Sequence, residues 1–480
     1  MSKSLKKNFV YSGILTTSGY IFPLLTYPYV SRVLGVEHLG TNNFVSNVVN
    51  YFIILSMLGM SVVGTREIAA ATKEERNRVF SSLFTLSLLT TVISSIALFL
   101  ASLFVPRFIQ NQMMFIVGSF HVLFNFFQME WLFRGLEDFK YITMRSLAIK
   151  VAYVFAVFGV VRDTNDYDLY YYLSVAMTFI NAAINVIYSR KYVRYSVFNI
   201  ELRKYSKPFL VYGLYMIFTS LYTTLNVGVL GFFCNDTQVG YYTTATKLYG
   251  IILSVFTAFT GVMMPRMSSL ISCGMIDEFK RLTARSYNLL ILFSIPLVIF
   301  FVIMAPQVIM IISGSGYEGA VLPMMIVMPL ILIIGIEQIQ IIQTLMPLKK
   351  DKQVLRNTLI GGSIGLTMNF ILVPILQSVG SAIVWTISEI TIMLLSFRTL
   401  NKYLELNFPW KKMICYIVYC IPMAISIYIL SKLTNYIIAV FASFLLMLAY
   451  CYLINIVILK DKEALSIYKM AKDKLIRKSD

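Results

Sequence analysis

The stretch YSRKYVRYSVFNIELRKYSK, residues 188–207, places six basic residues between two long apolar segments. It holds more basic residues than any other stretch between two apolar segments of the chain. Lysine and arginine collect in the cytoplasmic loops of membrane proteins, whereas apolar segments of about 20 residues cross the bilayer. The stretch is therefore predicted to face the cytoplasm and to divide the membrane-embedded chain into two halves.

The other basic residues follow the same rule. Between the apolar segments, one set of stretches holds 35 of the 41 lysines and arginines, and the alternate set holds four, Arg32, Arg107, Arg162 and Lys432. Such an asymmetry predicts fourteen membrane spans with both termini in the cytoplasm. The predicted spans are 9–30, 42–64, 80–104, 112–132, 146–161, 169–187, 208–233, 241–264, 288–311, 320–345, 357–376, 380–397, 413–431 and 435–458.

Composition agrees with an all-α, polytopic membrane protein. The chain is 58% hydrophobic and only 13% charged, which excludes an ordinary soluble domain. Its net charge of +18 lies beside the predicted spans, so anionic membrane lipids are the expected partner and nucleic acid is not.

The two halves resemble a repeat with an offset of 200 residues. The offset aligns basic residues beside the predicted spans, as in Lys7 with Lys207 and Arg66 with Arg266. It also aligns glycines, as in Gly13 with Gly213 and Gly40 with Gly240. Parallel repeats of this kind are related by an axis along the membrane normal. We expect two pseudo-symmetric six-helix lobes, 1–195 and 196–405, two appended helices in 406–458, and a basic amphipathic cytoplasmic tail over 459–480.

Four cationic residues are candidates for binding an anionic substrate: Arg32, Arg66, Lys247 and Arg266. Lys247 lies about 9 Å into its predicted span, where an ionisable group is costly and suggests function. It either faces a hydrated cavity or extends outward to the membrane surface. Arg32 follows a segment bent by prolines and is either a substrate contact or an interfacial charge. Arg66 and Arg266 occupy matching repeat positions, but topology alone also predicts basic residues there.

Four further residues could line a polar cavity: Glu130, Lys150, Glu337 and Gln340. Glu130 is spaced for an ion pair with Arg134, one helical turn later. Lys150 lies near the inner end of its predicted span, from which it could extend to the surface. Glu337 and Gln340 belong to a span rich in carboxylate and amide groups, which is typical of a water-filled face.

Several signatures of other chemistry are missing from the sequence. It contains no G-x-x-x-x-G-K-[ST] motif, its two histidines are His38 and His121, and its five cysteines include no C-x-x-C pair. We therefore expect no metal, no cofactor and no catalytic residue. The predicted outer loops are a few residues long, too short for the catalytic loop of a membrane polysaccharide polymerase or ligase.

Five short motifs resemble the polysaccharide-unit flippases, the Wzx-type branch of the multidrug/oligosaccharidyl-lipid/polysaccharide (MOP) exporter superfamily. They are NFVYSG at 8–13, PYVSRVLG at 28–35, LG at 39–40, GTREIA at 64–69 and EWLFRGLEDF at 130–139. The resemblance implies two lobes around a cavity, working by rocker-switch alternating access. It also implies an undecaprenyl-pyrophosphate-linked oligosaccharide as substrate, moved from the inner to the outer leaflet.

The resemblance makes Arg32, Arg66, Lys247 and Arg266 the expected contacts of the pyrophosphate, because paired anionic charge requires cations. It also makes polysaccharide polymerase and chain-length machinery possible partners. Two alternatives within the superfamily stay open, a lipid II flippase and a multidrug or cation antiporter. The latter would favour carboxylates over cations in its cavity.

Overall fold

The computed structural model describes residues 3–196, 200–404, 406, 408–433, 435–461 and 465. This described part of the chain is helical and contains no strand. The eighteen α-helices are α1 Lys3–Met57, α2 Met60–Ala70, α3 Arg76–Phe104, α4 Pro106–Ile109, α5 Gln112–Phe126, α6 Glu130–Gly135, α7 Phe139–Val160, α8 Tyr167–Ser189, α9 Leu202–Phe233, α10 Asp236–Ser272, α11 Ile276–Ile303, α12 Ala305–Ser313, α13 Val321–Val327, α14 Leu330–Gln338, α15 Asp351–Asn401, α16 Trp410–Tyr419, α17 Ile421–Leu430 and α18 Tyr436–Tyr452. Residues Thr164–Asp166 and Glu318–Ala320 form 3₁₀ turns, and Ile339–Leu345 and Leu453–Ile458 are π-helical.

Helix α1 is a hairpin of two antiparallel arms. Its only non-helical residue is Gly35, with φ 74° and ψ 173°, a conformation that favours glycine. Leu15 in the first arm packs in the same apolar cluster as Met57 at the end of the second, so the chain reverses at Gly35. The predicted loop over 31–41 is therefore helical except at this single glycine.

Helix α15 has the same form. The chain breaks at Gln377, with φ 53° and ψ −128°, and the two arms then pair along their length. Asn357 Nδ2 donates a hydrogen bond of 3.0 Å to Thr399 Oγ1, and Gly361 packs against Ile392. Each pair joins a residue of the first arm of α15 to a residue of the second arm, as antiparallel arms require.

Within the described ranges, nine helical stretches are long and apolar enough to cross a membrane, or ten if the bent pair in α10 is one span. Two of the nine, Gly13–Ala70 and Asp351–Asn401, contain the hairpins of α1 and α15. The prediction of an all-α, multi-pass membrane protein is confirmed, and the predicted count of fourteen spans fits this arrangement.

The chain folds into two compact units, Met1–Gly240 and Tyr241–Asp480. In the first unit, one apolar cluster gathers residues from the basic stretches, including Ile68, Val79, Phe133 and Val193. The predicted outer turns meet elsewhere: Asn42 Nδ2 donates to the carbonyl of Tyr167 at 2.9 Å. Residues of different basic stretches thus pack together, as the alternation of charge predicts.

The second unit shows the same grouping. Met267, Phe279 and Leu400, from two different basic stretches, pack in one cluster with Leu345, the last residue of a predicted span. The predicted outer segments meet through Gln307, whose Nε2 donates to the carbonyl of Ser431 at 2.8 Å. The lobe boundary at 195/196 stays a prediction, and most of the predicted amphipathic tail at 459–480 lies outside the described residues.

Candidate functional site

A charged cluster lies inside the first unit, where α6, α7 and α8 meet. Glu130 begins α6 directly after Met129, whose left-handed φ of 45° turns the chain. The Glu130 carboxylate accepts hydrogen bonds from Arg134 at 3.3 Å and from Arg145 at 3.2 Å. Two arginines therefore share one half-buried carboxylate, which leaves the cluster with an excess of positive charge.

Arg145 is the buried member of the cluster, with only 6% of its surface exposed. It donates to Glu130 and to the amide oxygen of Asn185, and its guanidinium lies 5.5 Å from the ring centre of Tyr141. The hydroxyl of Tyr141 donates to the same Asn185 oxygen at 2.8 Å. These contacts hold the guanidinium in place, although its Nε has no hydrogen-bond partner in the structure.

Lys150 lies near the middle of α7, since the helix begins at Phe139 rather than at the first apolar residue. It is about 16 Å along the helix from Phe139. Its ammonium donates a hydrogen bond of 2.8 Å to the hydroxyl of Ser18 on α1, and it interacts electrostatically with Glu130. The half-buried Lys150 thus extends the positive charge of the cluster toward the first arm of α1.

Within the segment EWLFRGLEDF, residues 130–139, the carboxylate of Asp138 holds the chain in place. Asp138 caps α7 by accepting from the backbone N–H of Tyr141 at 3.3 Å. It also accepts from the hydroxyls of Tyr188 and Tyr192, each at 2.9 Å. The segment therefore fixes the entry into α7 and, through it, the positions of Arg145 and Lys150.

Arg32 lies on the first arm of α1, and Arg66 lies on α2, which follows the second arm. Both side chains are exposed. Arg32 donates to the carbonyl of Pro28, one turn earlier, at 2.6 Å. Arg66 forms a 2.7 Å ion pair with its neighbour Glu67, although half of its side chain remains exposed. Arg32 lies near the Gly35 turn, whereas Arg66 lies at the opposite end of the hairpin.

Lys247 and Arg266 lie on α10 in the second unit, and both side chains are exposed. Nineteen residues separate them, which corresponds to about 28 Å along a straight helix. The helix bends by 40° between them, so the true separation is shorter. One phosphate group is too small to contact both residues at once.

The remaining basic residues of the predicted outer side have local partners. Arg107 pairs with Asp236, Arg162 Nε donates to the carbonyl of Gly159 at 3.0 Å, and Lys432 lies 4.8 Å from the ring centre of Tyr428. The residue after Arg162 is Asp163, whose carboxylate accepts hydrogen bonds from the backbone N–H of Asn165 and the hydroxyl of Thr164. These bonds lower the pKa of the Asp163 carboxyl. Each of these cations therefore has a structural explanation.

Gln340 and Glu337 lie inside the second unit. Gln340 belongs to the π-helical segment Ile339–Leu345 and is fully buried, as is Gln343. Glu337 lies near the end of α14, and its Oε2 atom is buried without a hydrogen-bond partner. Gln340 is thus buried and Glu337 partly buried, and the water-filled face suggested by the sequence stays a prediction.

Sequence reasoning missed Arg145 and Ser18 as members of the site. Arg145 counted among the basic residues of a cytoplasmic stretch, and Ser18 is a small polar residue in an apolar segment. The available signal was the five-residue spacing of Arg145 and Lys150, which places two cations within one and a half helical turns. Arg145 and Lys150 both interact with Glu130, and cationic side chains of this kind can bind an oxyanion.

The sequence is similar to those of known proteins. The profile of the family described as "Polysaccharide biosynthesis protein" matches residues 5–271. A protein of Escherichia coli (strain K12), named as an O-antigen transporter, is 26% identical over 412 residues, covering 84% of this chain and 98% of that protein. A Shigella dysenteriae protein of the same name is 25% identical over 406 residues, covering 83% and 100%.

Solved structures with the same fold are transporters. The lipid II flippase MurJ, in an inward closed conformation, superimposes with a TM-score of 0.77 at 14% identity, covering 93% of this chain and 99% of that one. An inward-facing multidrug resistance MATE family transporter of the MOP superfamily gives 0.63 at 14% identity, covering 82% and 97%. At such identities the likeness establishes the fold and not the substrate.

Proposed function

The chain belongs to the polysaccharide biosynthesis protein family, and we propose that it is a flippase for lipid-linked oligosaccharides. Its substrate is an undecaprenyl-pyrophosphate-linked repeat unit, which it moves from the inner to the outer leaflet of the plasma membrane. Both termini then lie in the cytoplasm, and transport proceeds by alternating access. The E. coli and S. dysenteriae relatives, named as O-antigen transporters, support this choice of substrate class.

The observation that carries the proposal is the cationic group of Arg145 and Lys150 inside the first unit. A cation within a membrane span is expensive and marks a substrate or ion pathway. Here two cations share the single carboxylate of Glu130 as their acidic neighbour, and the Lys150 ammonium has only a neutral hydroxyl within 2.8 Å. A pyrophosphate supplies the missing negative charge, whereas a cationic drug would be repelled.

We further propose that Arg32, Arg66, Lys247 and Arg266 each contact the substrate during transport. Arg32 and Arg66 lie toward opposite ends of the first hairpin, and Lys247 and Arg266 are similarly separated on α10. Their spacing suits successive contacts along a path better than simultaneous contacts with one headgroup. All four side chains are exposed, as substrate contact requires.

Complementation of a gene deletion tests the proposal. Deletion is expected to accumulate lipid-linked oligosaccharide on the inner leaflet, and the wild-type gene to restore export. Lys150→Ala should lower export about tenfold or more at normal protein levels, because a hydrogen bond to a charged group contributes about 1.5–3 kcal/mol. Lys150→Arg should retain part of the activity, since it keeps the charge.

Lys73→Ala is the matched control, because Lys73 is an exposed basic residue between α2 and α3. It should leave export unchanged. The proposal is wrong if deletion leaves lipid-linked intermediates at their normal level and instead sensitises cells to cationic drugs. That result would favour an exporter of the MATE type.

A further inference from the structure

A shallow, open groove of about 460 Å³ runs along the first arm of α15 in the second unit. Lys352 and Arg356 line one end of the groove. The apolar side chains of Leu359, Ile360 and Ile364 line the remainder. Two cations and a row of hydrocarbon side chains thus share one continuous surface of a single helix.

The groove crosses a predicted boundary of the membrane. Lys352 and Arg356 belong to a basic stretch, whereas Leu359 and Ile364 belong to the predicted span 357–376. Eight residues separate Arg356 from Ile364, which corresponds to about 12 Å along a helix. One leaflet contributes about half of a hydrocarbon core that is about 30 Å thick. The apolar part of the groove therefore matches the depth of one leaflet.

The second arm of α15 fixes the backbone that carries the two cations. Gln353 Nε2 donates a hydrogen bond of 3.1 Å to the hydroxyl of Tyr403, and Asn357 Nδ2 donates one of 3.0 Å to Thr399 Oγ1. Each of these two amides directly follows one of the cations in the sequence. Neighbouring side chains on a helix point in different directions, so the amides face the second arm while the cations face the groove.

The cationic end of the groove has an excess of positive charge. Lys352 and Arg356 are one helical turn apart, so their exposed side chains are neighbours on the helix surface. Arg356 donates to the neutral amide oxygen of Asn357 at 3.2 Å. Among the described residues, neither cation forms an ion pair with an acidic side chain. Even with the adjacent carboxylate of Asp351, the net charge here is positive.

We propose that this groove binds an anionic glycerophospholipid of the predicted inner leaflet. Its phosphate group lies between Lys352 and Arg356, and one acyl chain lies along Leu355, Leu359 and Ile364. Basic pockets on the cytoplasmic side of membrane proteins bind anionic headgroups, and each nearby cation strengthens the attraction about fivefold. The ligand is a component of the membrane itself, so binding is independent of the proposed function.

Two other occupants fit the groove less well. A soluble phosphate ion would contact the cations but would make no use of the apolar part. A second copy of the chain would lie at the same depth in the membrane. A symmetric contact would therefore bring Lys352 and Arg356 of one copy against the same cations of the other, and like charges repel. A phospholipid supplies both the anion and the hydrocarbon.

Quenching by brominated lipids tests the site in the full-length protein, reconstituted into phosphatidylcholine vesicles. Ser363 lines the groove and is exposed, so Ser363→Cys in a background without the five native cysteines places a bimane label there. Brominated phosphatidylglycerol should quench this label at a mole fraction at least about fivefold lower than brominated phosphatidylcholine, because the two cations select negative charge.

Lys352→Ala combined with Arg356→Ala should remove this preference, so that both lipids quench alike. Quenching by brominated phosphatidylcholine shows that the variant still exposes the label to lipid and is folded there. Arg356→Lys should retain most of the preference, since it keeps the charge. Lys402→Ala is the matched control, because Lys402 is an exposed lysine at the same end of the α15 hairpin and does not line the groove. This variant should keep the full preference.

Four results would overturn the proposal. Equal quenching by the two lipids without the alanine substitutions would show that the groove does not select headgroup charge. A preference that survives in the double alanine variant, or that disappears in Lys402→Ala, would assign the effect to general surface charge. Absence of quenching by either lipid would show that protein, such as a second copy of the chain, covers the face. Loss of the preference on adding millimolar inorganic phosphate would assign the cations to a soluble anion.

Discussion

Gly40 and Gly240 pack against each other's helices in a reciprocal contact. A β-carbon added to Gly40 would lie 1.8 Å from the carbonyl oxygen of Asp236, and one added to Gly240 would lie 2.2 Å from that of Val36. The two contacts correspond under the 200-residue offset of the sequence, since Gly40 matches Gly240 and Val36 matches Asp236. The two glycines allow α1 and α10 to cross with their backbones in contact.

This contact predicts that Gly40→Ala prevents normal folding. The added methyl group would overlap a carbonyl oxygen of the backbone, which cannot rotate away as a side chain can. We expect destabilisation of about 3 kcal/mol or more, at the upper end of overpacking effects. Thermal unfolding of the purified protein in detergent measures it, with cellular protein level as a second readout.

Gly159→Ala is the control for this substitution. Gly159 is also helical, and a β-carbon there would have nothing within 4 Å. Alanine should be neutral or stabilise by up to about 1 kcal/mol, because it is the better helix former. Equal stability of Gly40→Ala and the wild type would show that the two helices separate easily at this point.

The ion pair of Arg107 and Asp236 is predicted to hold the same region together. Arg107 Nε also donates to the carbonyl of Gly231 at 2.8 Å, and Thr41 donates to Asp236 at 2.9 Å. Arg107→Ala leaves a mostly buried carboxylate without its cation, so we expect a loss of about 2–3 kcal/mol. The loss should appear as a lower unfolding temperature.

A double-mutant cycle separates this pair from a general effect of lost charge. Arg107→Ala combined with Asp236→Asn should be more stable than Arg107→Ala alone, because no unpaired carboxylate remains. Arg162→Ala, which removes an exposed arginine from a neighbouring turn, should change stability by less than about 0.5 kcal/mol. Additive effects of Arg107 and Asp236 substitutions would contradict the pairing.

Topology can be checked at two exposed loop positions, Asn165 and Glu74. In a background without the five native cysteines, a cysteine at position 165 should react with a membrane-impermeant maleimide in intact cells. A cysteine at position 74 should react only after the membrane is opened. Labelling of position 74 in intact cells would contradict the orientation predicted from the charge asymmetry.

The sequence predicted the spans well because hydropathy and charge depend on residue type alone. It placed Lys150 near the inner end of a span, and α7 extends beyond that span, beginning at Phe139, seven residues before it. The position of Lys150 along the membrane normal stays a prediction. The sequence could not pair Lys150 with Ser18, because those residues are 132 positions apart and meet only when α7 packs against α1. Local patterns therefore predicted the elements, whereas tertiary packing determines which polar groups meet.

The last prediction separates the two cations of the first unit by their roles. Arg145 is buried and bonded to both Glu130 and Asn185, so Arg145→Ala removes two hydrogen bonds from a buried site, where Arg134 and Tyr141 remain as the other donors to these acceptors. We expect a loss of about 2–3 kcal/mol in stability, partly recovered when Glu130→Gln is added. Lys150→Ala removes one bond, to the hydroxyl of Ser18, and should cost less than about 1.5 kcal/mol.

Export normalised to the amount of folded protein then distinguishes the residues. If Lys150 contacts substrate, Lys150→Ala should be nearly as stable as the wild type and yet export poorly. Arg145→Ala combined with Glu130→Gln should be folded, and its export reports whether the guanidinium contacts substrate or only positions its neighbours. Normal export by Lys150→Ala would reduce this lysine to a hydrogen-bond partner of α1 and remove the main support for an anion site in the first unit.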